Sequence, residues 1–235
     1  MKIEIWSDYM CPFCYIGKKR LETALQQFEH RDQVELTYRS FELDPHAPRD
    51  LNQRVVEMLA AKYGMSLEQA SAMQNQVAAQ ALTVGLTFNF DTMIHTNTRD
   101  AHRLTRHASD RGKGAQMTER LFNAAFTESL HVGDRNVLTD LAVEIGLDRA
   151  EVTQLWESDA YVQEVLAEEQ RAQAMDVRGV PYFLVDGKLA VSGAQSSERF
   201  AEALQYAWQH REQSNEVSSN EDASGSGCVD GTCSI

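Results

Sequence analysis

The sequence predicts an α/β domain interrupted by a helical block and followed by a flexible acidic tail. Three observations carry that reading. The N-terminal stretch runs strand, helix, strand; the stretch from Arg49 to Val180 has no proline, and its glycines fall mostly between periodic segments; the stretch after Val180 runs strand, turn, strand, helix. The chain has 235 residues. At roughly 150 residues per domain that allows one to two domains and a substantial core without covalent staples.

Taken in order, Lys2 to Ser7 reads as a strand with Ile3 and Ile5 on one face. A helix starts at Pro12, with Leu21, Leu25 and Phe28 along one stripe. Val34 to Leu43 alternates as a strand whose apolar phase shifts between Tyr38 and Phe41, marking a bulge or the strand's end. This first connection is a βαβ unit and implies a parallel pair. From about Asp50 to Asp176 the pattern predicts four to six helices: Met117, Leu121 and Ala125 share one face, and Val137, Leu138, Leu141, Ala142 and Ile145 share another. Ser66 with Gln69 fits a capping box, and Asp148 with Glu151 a weaker one. Val180 to Val185 is a near-continuous apolar strand, Asp186-Gly187 supplies a two-residue hairpin turn, and Leu189 to Val191 returns antiparallel. The last helix begins near Ser197, with Phe200, Leu204, Ala207 and Trp208 on one face. Residues 213–227 are mostly Ser, Asn, Gly and acidic residues, without Lys or Arg, the composition of a linker.

Lys+Arg 22 against Asp+Glu 35 gives a formal charge of −13, which repels phosphate backbones and argues against a nucleic-acid partner. Glu212, Glu216, Glu221, Asp222 and Asp230 place −5 of that charge on the tail, leaving −8 on the body. No apolar run approaches the ~18 residues of a membrane span. The N-terminus has a glutamate where a signal peptide needs an apolar run, which predicts a cytoplasmic protein.

Cysteine placement is the most informative feature. Cys11 and Cys14 lie near one end, Cys228 and Cys233 at the other, and none lies between; a disulfide-stapled scaffold would scatter them. Cys11-Pro12-Phe13-Cys14 sits where the first strand gives way to the first helix. Cys11 falls at the N-cap, where free backbone N–H groups and the positive end of the dipole favour a thiolate. Pro12 suits the first helical position. Cys14 lies nearly above Cys11, within reach of a disulfide. The pattern makes Cys11 the candidate nucleophile and Cys14 the resolving thiol. Half of a zinc site or a pair of inert core thiols are the alternatives; neither calls for a proline opening an amphipathic helix.

The segment Trp6-Ser7-Asp8-Tyr9-Met10-Cys11-Pro12-Phe13-Cys14-Tyr15-Ile16-Gly17 resembles the active-site segment of DsbA-family oxidoreductases, closest to the FrnE-like subgroup. The stretches Asn97 to Leu104, Leu121-Phe122, Asp134 to Leu138 and Gly146 to Asp148 resemble that subgroup's inserted helices, and Gly179-Val180-Pro181-Tyr182-Phe183 resembles its cis-proline loop. The likeness spans about residues 1–210. It implies a thioredoxin-like fold over residues 1–48 and 177–211, an inserted all-helical domain over 49–176, and a disordered tail over 212–235. It also implies that Pro181 is the cis-proline beside the dithiol and that the backbone at Val180 meets substrate. Independently, a proline opening a buried strand leaves neighbouring backbone free to meet a peptide. Val180, Pro12 and Phe13 are the candidate substrate-contacting residues.

Cys228 and Cys233 form a C-x4-C pair, with Gly231 to turn the chain between them. A flexible linker from Arg211 has a root-mean-square reach of ~20–25 Å. The tail pair is therefore a candidate auxiliary dithiol exchanging with Cys11–Cys14; an inert tail and a four-thiol metal site are the alternatives. His95, His102 and His107 have poor spacing for a shared metal. Asn97 reads as a helix cap. Arg99, Arg103 and Arg106 read as a solvated basic stripe, or as a docking site for an acidic substrate or glutathione. Trp6 and Tyr9 are candidates to line the groove beside the cysteines, with packing the alternative for Trp6.

The resulting expectation is a cytoplasmic thiol–disulfide oxidoreductase acting on disulfide-containing proteins or small thiols. It needs no organic or metal cofactor, and glutathione is a candidate co-substrate. A glutathione-dependent kappa-like transferase or isomerase and a thiol-containing chaperone or binding module are the rivals. Cys14 argues against the first, whose members typically use a single serine or cysteine.

Overall fold

The computed structural model describes residues 1–50 and 53–211. The sheet contains β1 (Lys2–Ser7), β2 (Glu35–Ser40), β3 (Tyr182–Val185) and β4 (Leu189–Ser192) in the order β2-β1-β3-β4. β1 runs parallel to β2, and β3 is antiparallel to both β1 and β4. The βαβ half closes through α1 (Pro12–Gln26), and the hairpin half ends in α9 (Ser197–Gln209). Between the halves come α2 (Val55–Tyr63), α3 (Leu67–Leu82), α4 (Arg99–Ser109), α5 (Gly114–Phe126), α6 (Arg135–Glu144), α7 (Arg149–Trp156) and α8 (Val162–Ala174).

The described residues thus hold seven helices in this stretch rather than four to six. Short helices such as α2 and α7 are separated from their neighbours by tight turns, and a periodicity window merges such pairs. The capping signals fall where expected: Ser66 accepts from the Gln69 amide and Gln69 answers it, and Asp148 accepts from the Glu151 amide. β2 ends at Ser40, so the phase shift after Tyr38 marks the strand's end rather than a bulge.

The hairpin is one residue longer than its turn signal. Asp186 and Gly187 both have positive φ, and the Lys188 amide donates to the Val185 carbonyl, but the register pairs Val185 with Leu189. The extra residue keeps Leu189 and Val191 on the same face as Val185 and Phe183, against the core shared with α1 and α9. A two-residue loop would turn Lys188 and Ala190 inward instead.

The two sheet faces are packed differently. Ile3, Ile5, Phe183 and Val185 meet Leu21, Ala24, Phe200 and Leu204 from α1 and α9. Trp6 and Leu184 meet Ala172 of α8 and Val177 on the other face. Glu4 shares that second face and is buried, yet it is satisfied: its carboxylate accepts from Arg39 Nε at 2.9 Å and from both terminal nitrogens of Arg171 at 2.6 and 2.7 Å. A third core joins the start of α1 to the helices, with Cys14, Tyr15 and Ile16 against Leu104, Phe122 and Phe126. The cysteine-bearing turn of α1 is therefore covered by the helical block rather than left open. The residues predicted as a disordered tail, 212–235, lie outside the described residues.

Candidate active site

The site grows from the end of β1. After Ser7 the chain turns through Asp8, Tyr9 and Met10, and the Cys11 amide donates to the Asp8 carbonyl at 3.1 Å. Cys11 then takes an extended N-cap conformation and Pro12 opens α1, as the spacing predicts. Both thiols are free. Cys11 Sγ makes no side-chain cap; as a thiol it is a donor, and it donates to the Val180 carbonyl at 3.5 Å. The Val180–Pro181 peptide bond is cis. Pro181 is held by the Gly193 amide, which donates to its carbonyl at 2.8 Å. The structure thus brings Cys11, Cys14, Val180 and Pro181 together across 169 residues of sequence.

Gly17 makes this approach possible. A Cβ there would lie 3.1 Å from Pro181 Cγ, 3.3 Å from Phe183 and 3.4 Å from the Ala194 backbone. A side chain at residue 17 would press on the proline loop, which would have to give by a few tenths of an ångström. The place of Gly17 in the segment carrying the family likeness was visible in the sequence; its steric role was not.

Cys14 is buried, and burial pushes its thiol well above the ordinary range; the adjacent Cys11 adds to the shift. Beneath the turn lies a charged pair that sequence reasoning did not single out. Asp8 is buried and accepts from the Leu43 amide at 2.7 Å and the Met10 amide at 3.2 Å, while His102 Nε2 stands 3.9 Å from its carboxylate. Burial alone would neutralise both groups. Each favours the charged form of the other, which holds Asp8 below the ordinary carboxylate range and His102 above the ordinary imidazole range.

Two openings lie near the site, of which only the second is lined by Cys11 itself. One is a groove of about 590 Å³ along residues 176–182 with Ser192 and Gly193. The other is a cavity of about 390 Å³ lined by Cys11, Pro12 and Phe13 on one side and by α2 and α3 on the other. Phe13 is half-exposed at its edge.

Other residues singled out in the sequence settle into structural roles. Trp6 is fully buried on the α8 face and donates to the Glu168 carbonyl at 3.0 Å, so it does not line the groove. Tyr9 is buried too; its hydroxyl meets Thr105 Oγ1 at 2.5 Å, and desolvation raises its pKa to about 12. The N-cap of α4 is Thr98, whose side chain makes no capping bond; Asn97 lies one residue earlier, its Oδ1 accepting from the Arg99 amide at 3.0 Å. The arginine stripe is paired within the protein rather than free for docking, although Arg99 keeps a partly exposed side chain. Arg103 is buried, donating to the carbonyls of Leu155, Ser158 and Ala160 and to Asp100. Arg106 pairs with Glu168 and Arg99 with Glu42. Spacing located the stripe, but apart from Asp100 the acceptors that consume it come from segments more than fifty residues away. Among the described residues no group of three or more His, Cys, Asp or Glu side chains is placed to hold a metal ion, and no helix is long and apolar enough to cross a membrane. Cys228 and Cys233 lie outside the described residues.

A dithiol at a strand-to-helix junction, facing a cis-proline loop on a β2-β1-β3-β4 sheet, defines a thioredoxin-like thiol oxidoreductase fold. The chain belongs to the DSBA-like thioredoxin domain family, which matches residues 2–205. It is 30% identical over 205 residues to the uncharacterized protein YwbO of Bacillus subtilis, covering 86% of this chain and 94% of that one. It superposes with a TM-score of 0.86, at 44% identity, on the crystal structure of a probable DsbA oxidoreductase from Streptomyces coelicolor, covering 90% of this chain and 91% of that one. The cytosolic disulfide reductase DsbM of Pseudomonas aeruginosa, solved with glutathione, shares the fold at 14% identity and a TM-score of 0.61, covering 92% of this chain and all of that one (100%).

Proposed function

We propose that the protein is a cytoplasmic thiol–disulfide oxidoreductase that works through Cys11 and Cys14 without an organic or metal cofactor. The observation that carries this reading is the placement of Cys11 Sγ 3.5 Å from the carbonyl that precedes the cis-proline. Cys11 as thiolate attacks one sulfur of a substrate disulfide and expels the other as a thiolate, leaving a mixed disulfide. Cys14 then attacks Cys11 Sγ, releasing the second substrate thiol and closing the Cys11–Cys14 disulfide. Two electrons pass from the protein dithiol to the substrate. Run in reverse, the same steps oxidise a substrate dithiol, and the reduction potential of the pair sets the direction.

Both sulfurs are buried; the raised pKa of Cys14 supports its role as the second thiol, because a protonated sulfur is a poor nucleophile toward the incoming disulfide. The presence of a second thiol at Cys14 disfavours the kappa-like transferase, which would use Cys11 alone. The test is reduction of insulin disulfides. Wild type is expected to be active and Cys11→Ser to fall to the uncatalysed rate. Cys14→Ser is expected to accumulate a mixed disulfide visible by mass spectrometry. Absence of activity in wild type would favour a binding module or chaperone.

A further inference from the structure

The cavity beside Cys11 is built unlike a site for a charged peptide thiol. Its wall gathers Met10, Met58, Met73 and Met93 from four separate segments, together with Phe90 and Phe126. Methionines give a soft, adaptable apolar surface. Its volume of about 390 Å³ falls within the range of pockets that take small organic ligands. Leu43, Phe13 and Tyr63 also line it, and each is exposed, so its opening is apolar. The formal charges along the wall are Asp8, Asp44 and Lys62, with His95 beside them. Asp8 is already committed to two backbone amides and His102. That leaves a single lysine to receive the two carboxylates of glutathione. Gln74, buried in the same wall, has no hydrogen-bond partner for Nε2 among the described residues.

We propose that this cavity binds the uncharged apolar part of a small organic disulfide, with a hydrogen-bond acceptor on the ligand meeting Gln74, and that it presents the ligand's sulfur to Cys11. The inference rests on the oxidoreductase reading and names its substrate class. The balance is that of disulfide exchange: Cys11 thiolate bonds to one ligand sulfur while the other leaves as a thiolate, and Cys14 displaces the first. The ligand disulfide gains two electrons and the Cys11–Cys14 pair loses them.

The test is single-turnover reaction of the reduced full-length protein with para-acetylphenyl disulfide and with glutathione disulfide. Each rate is divided by that of the same disulfide with mercaptoethanol, which removes leaving-group reactivity. The normalised rate is expected to favour the apolar disulfide by at least about tenfold. Para-acetylphenyl methyl sulfide, which cannot exchange, is expected to inhibit the apolar reaction competitively in wild type and to bind Cys11→Ser by calorimetry. Gln74→Leu is expected to cut the preference for the acetylated over the unsubstituted phenyl disulfide by about fivefold. Equal or reversed normalised rates without competition by the sulfide would overturn the cavity assignment and leave the dithiol chemistry standing. Binding of the sulfide with no exchange by any disulfide, insulin included, would overturn the oxidoreductase reading instead.

Discussion

Burial raises the pKa of Cys14, and a step that needs its thiolate must therefore speed up with pH. Below the raised pKa, each pH unit exposes about ten times more thiolate. Resolution of a mixed disulfide preformed on Cys11 is thus expected to accelerate about tenfold per pH unit through neutrality; a flat profile in stopped-flow measurement would remove Cys14 from that role. Gly17 makes a second test at this scale. A methyl at residue 17 meets Pro181 Cγ at 3.1 Å and the Ala194 backbone at 3.4 Å, so the proline loop is pushed by a few tenths of an ångström. Gly17→Ala is expected to cost about 1–3 kcal/mol in chemical denaturation, as overpacking does. It is also expected to slow exchange at Cys11 out of proportion to the lost stability, because the Val180 carbonyl moves with the loop.

Charged side chains decide how the elements join. Glu4 ties β1 to β2 through Arg39 and to α8 through Arg171. Those guanidinium groups, Arg171 first, outweigh desolvation and bring its pKa from the ordinary 4.5 down to about 2. A depressed carboxylate stabilises the fold at pH values above its unfolded pKa, and that contribution disappears as pH falls through the folded one. Wild type is therefore expected to lose on the order of 3 kcal/mol between pH 4.5 and about 2 from this group. Glu4→Gln is expected to be less stable by a similar amount at neutral pH and to show a flatter profile over that window, read by urea denaturation. Glu168 of α8 completes the joint: it accepts from Arg39 and Arg106, and from both the amide and hydroxyl of Ser40. The stripe on α4 is thus a structural device, one of its arginines serving the end of β2.

At the scale of the whole molecule, the helical stretch and the sheet unit meet at α1. Glu119 of α5 receives Tyr15 at 2.9 Å and Lys19 at 2.7 Å, and also pairs with Lys18. The clamp presses the face of α1 that carries Cys14 against Phe122 and Phe126. The same packing walls the methionine-lined cavity on one side of Cys11. The tail dithiol belongs to this scale as well. If Cys228 and Cys233 relay electrons to the first pair, replacing both by serine slows turnover with a protein substrate while leaving alkylation of Cys11 unchanged; equal turnover removes the relay.

By itself the sequence determined the order of strands and helices, the N-cap position of Cys11 and the turn at Asp186-Gly187. Each is a local property: periodicity, a proline at the first helical position, or a pair of residues that tolerates positive φ. The one-residue error in the hairpin shows the limit, because its register follows from which face of β4 meets the core, and that depends on α1 and α9. Tertiary structure alone decided that Trp6 turns toward α8, that Arg103 is consumed by carbonyls of the α7–α8 connection, and that Asp8 faces His102. It alone gathered four methionines from separate segments into the wall of one cavity that Cys11 also lines. Those outcomes depend on partners far away in sequence, and no spacing rule carries that information.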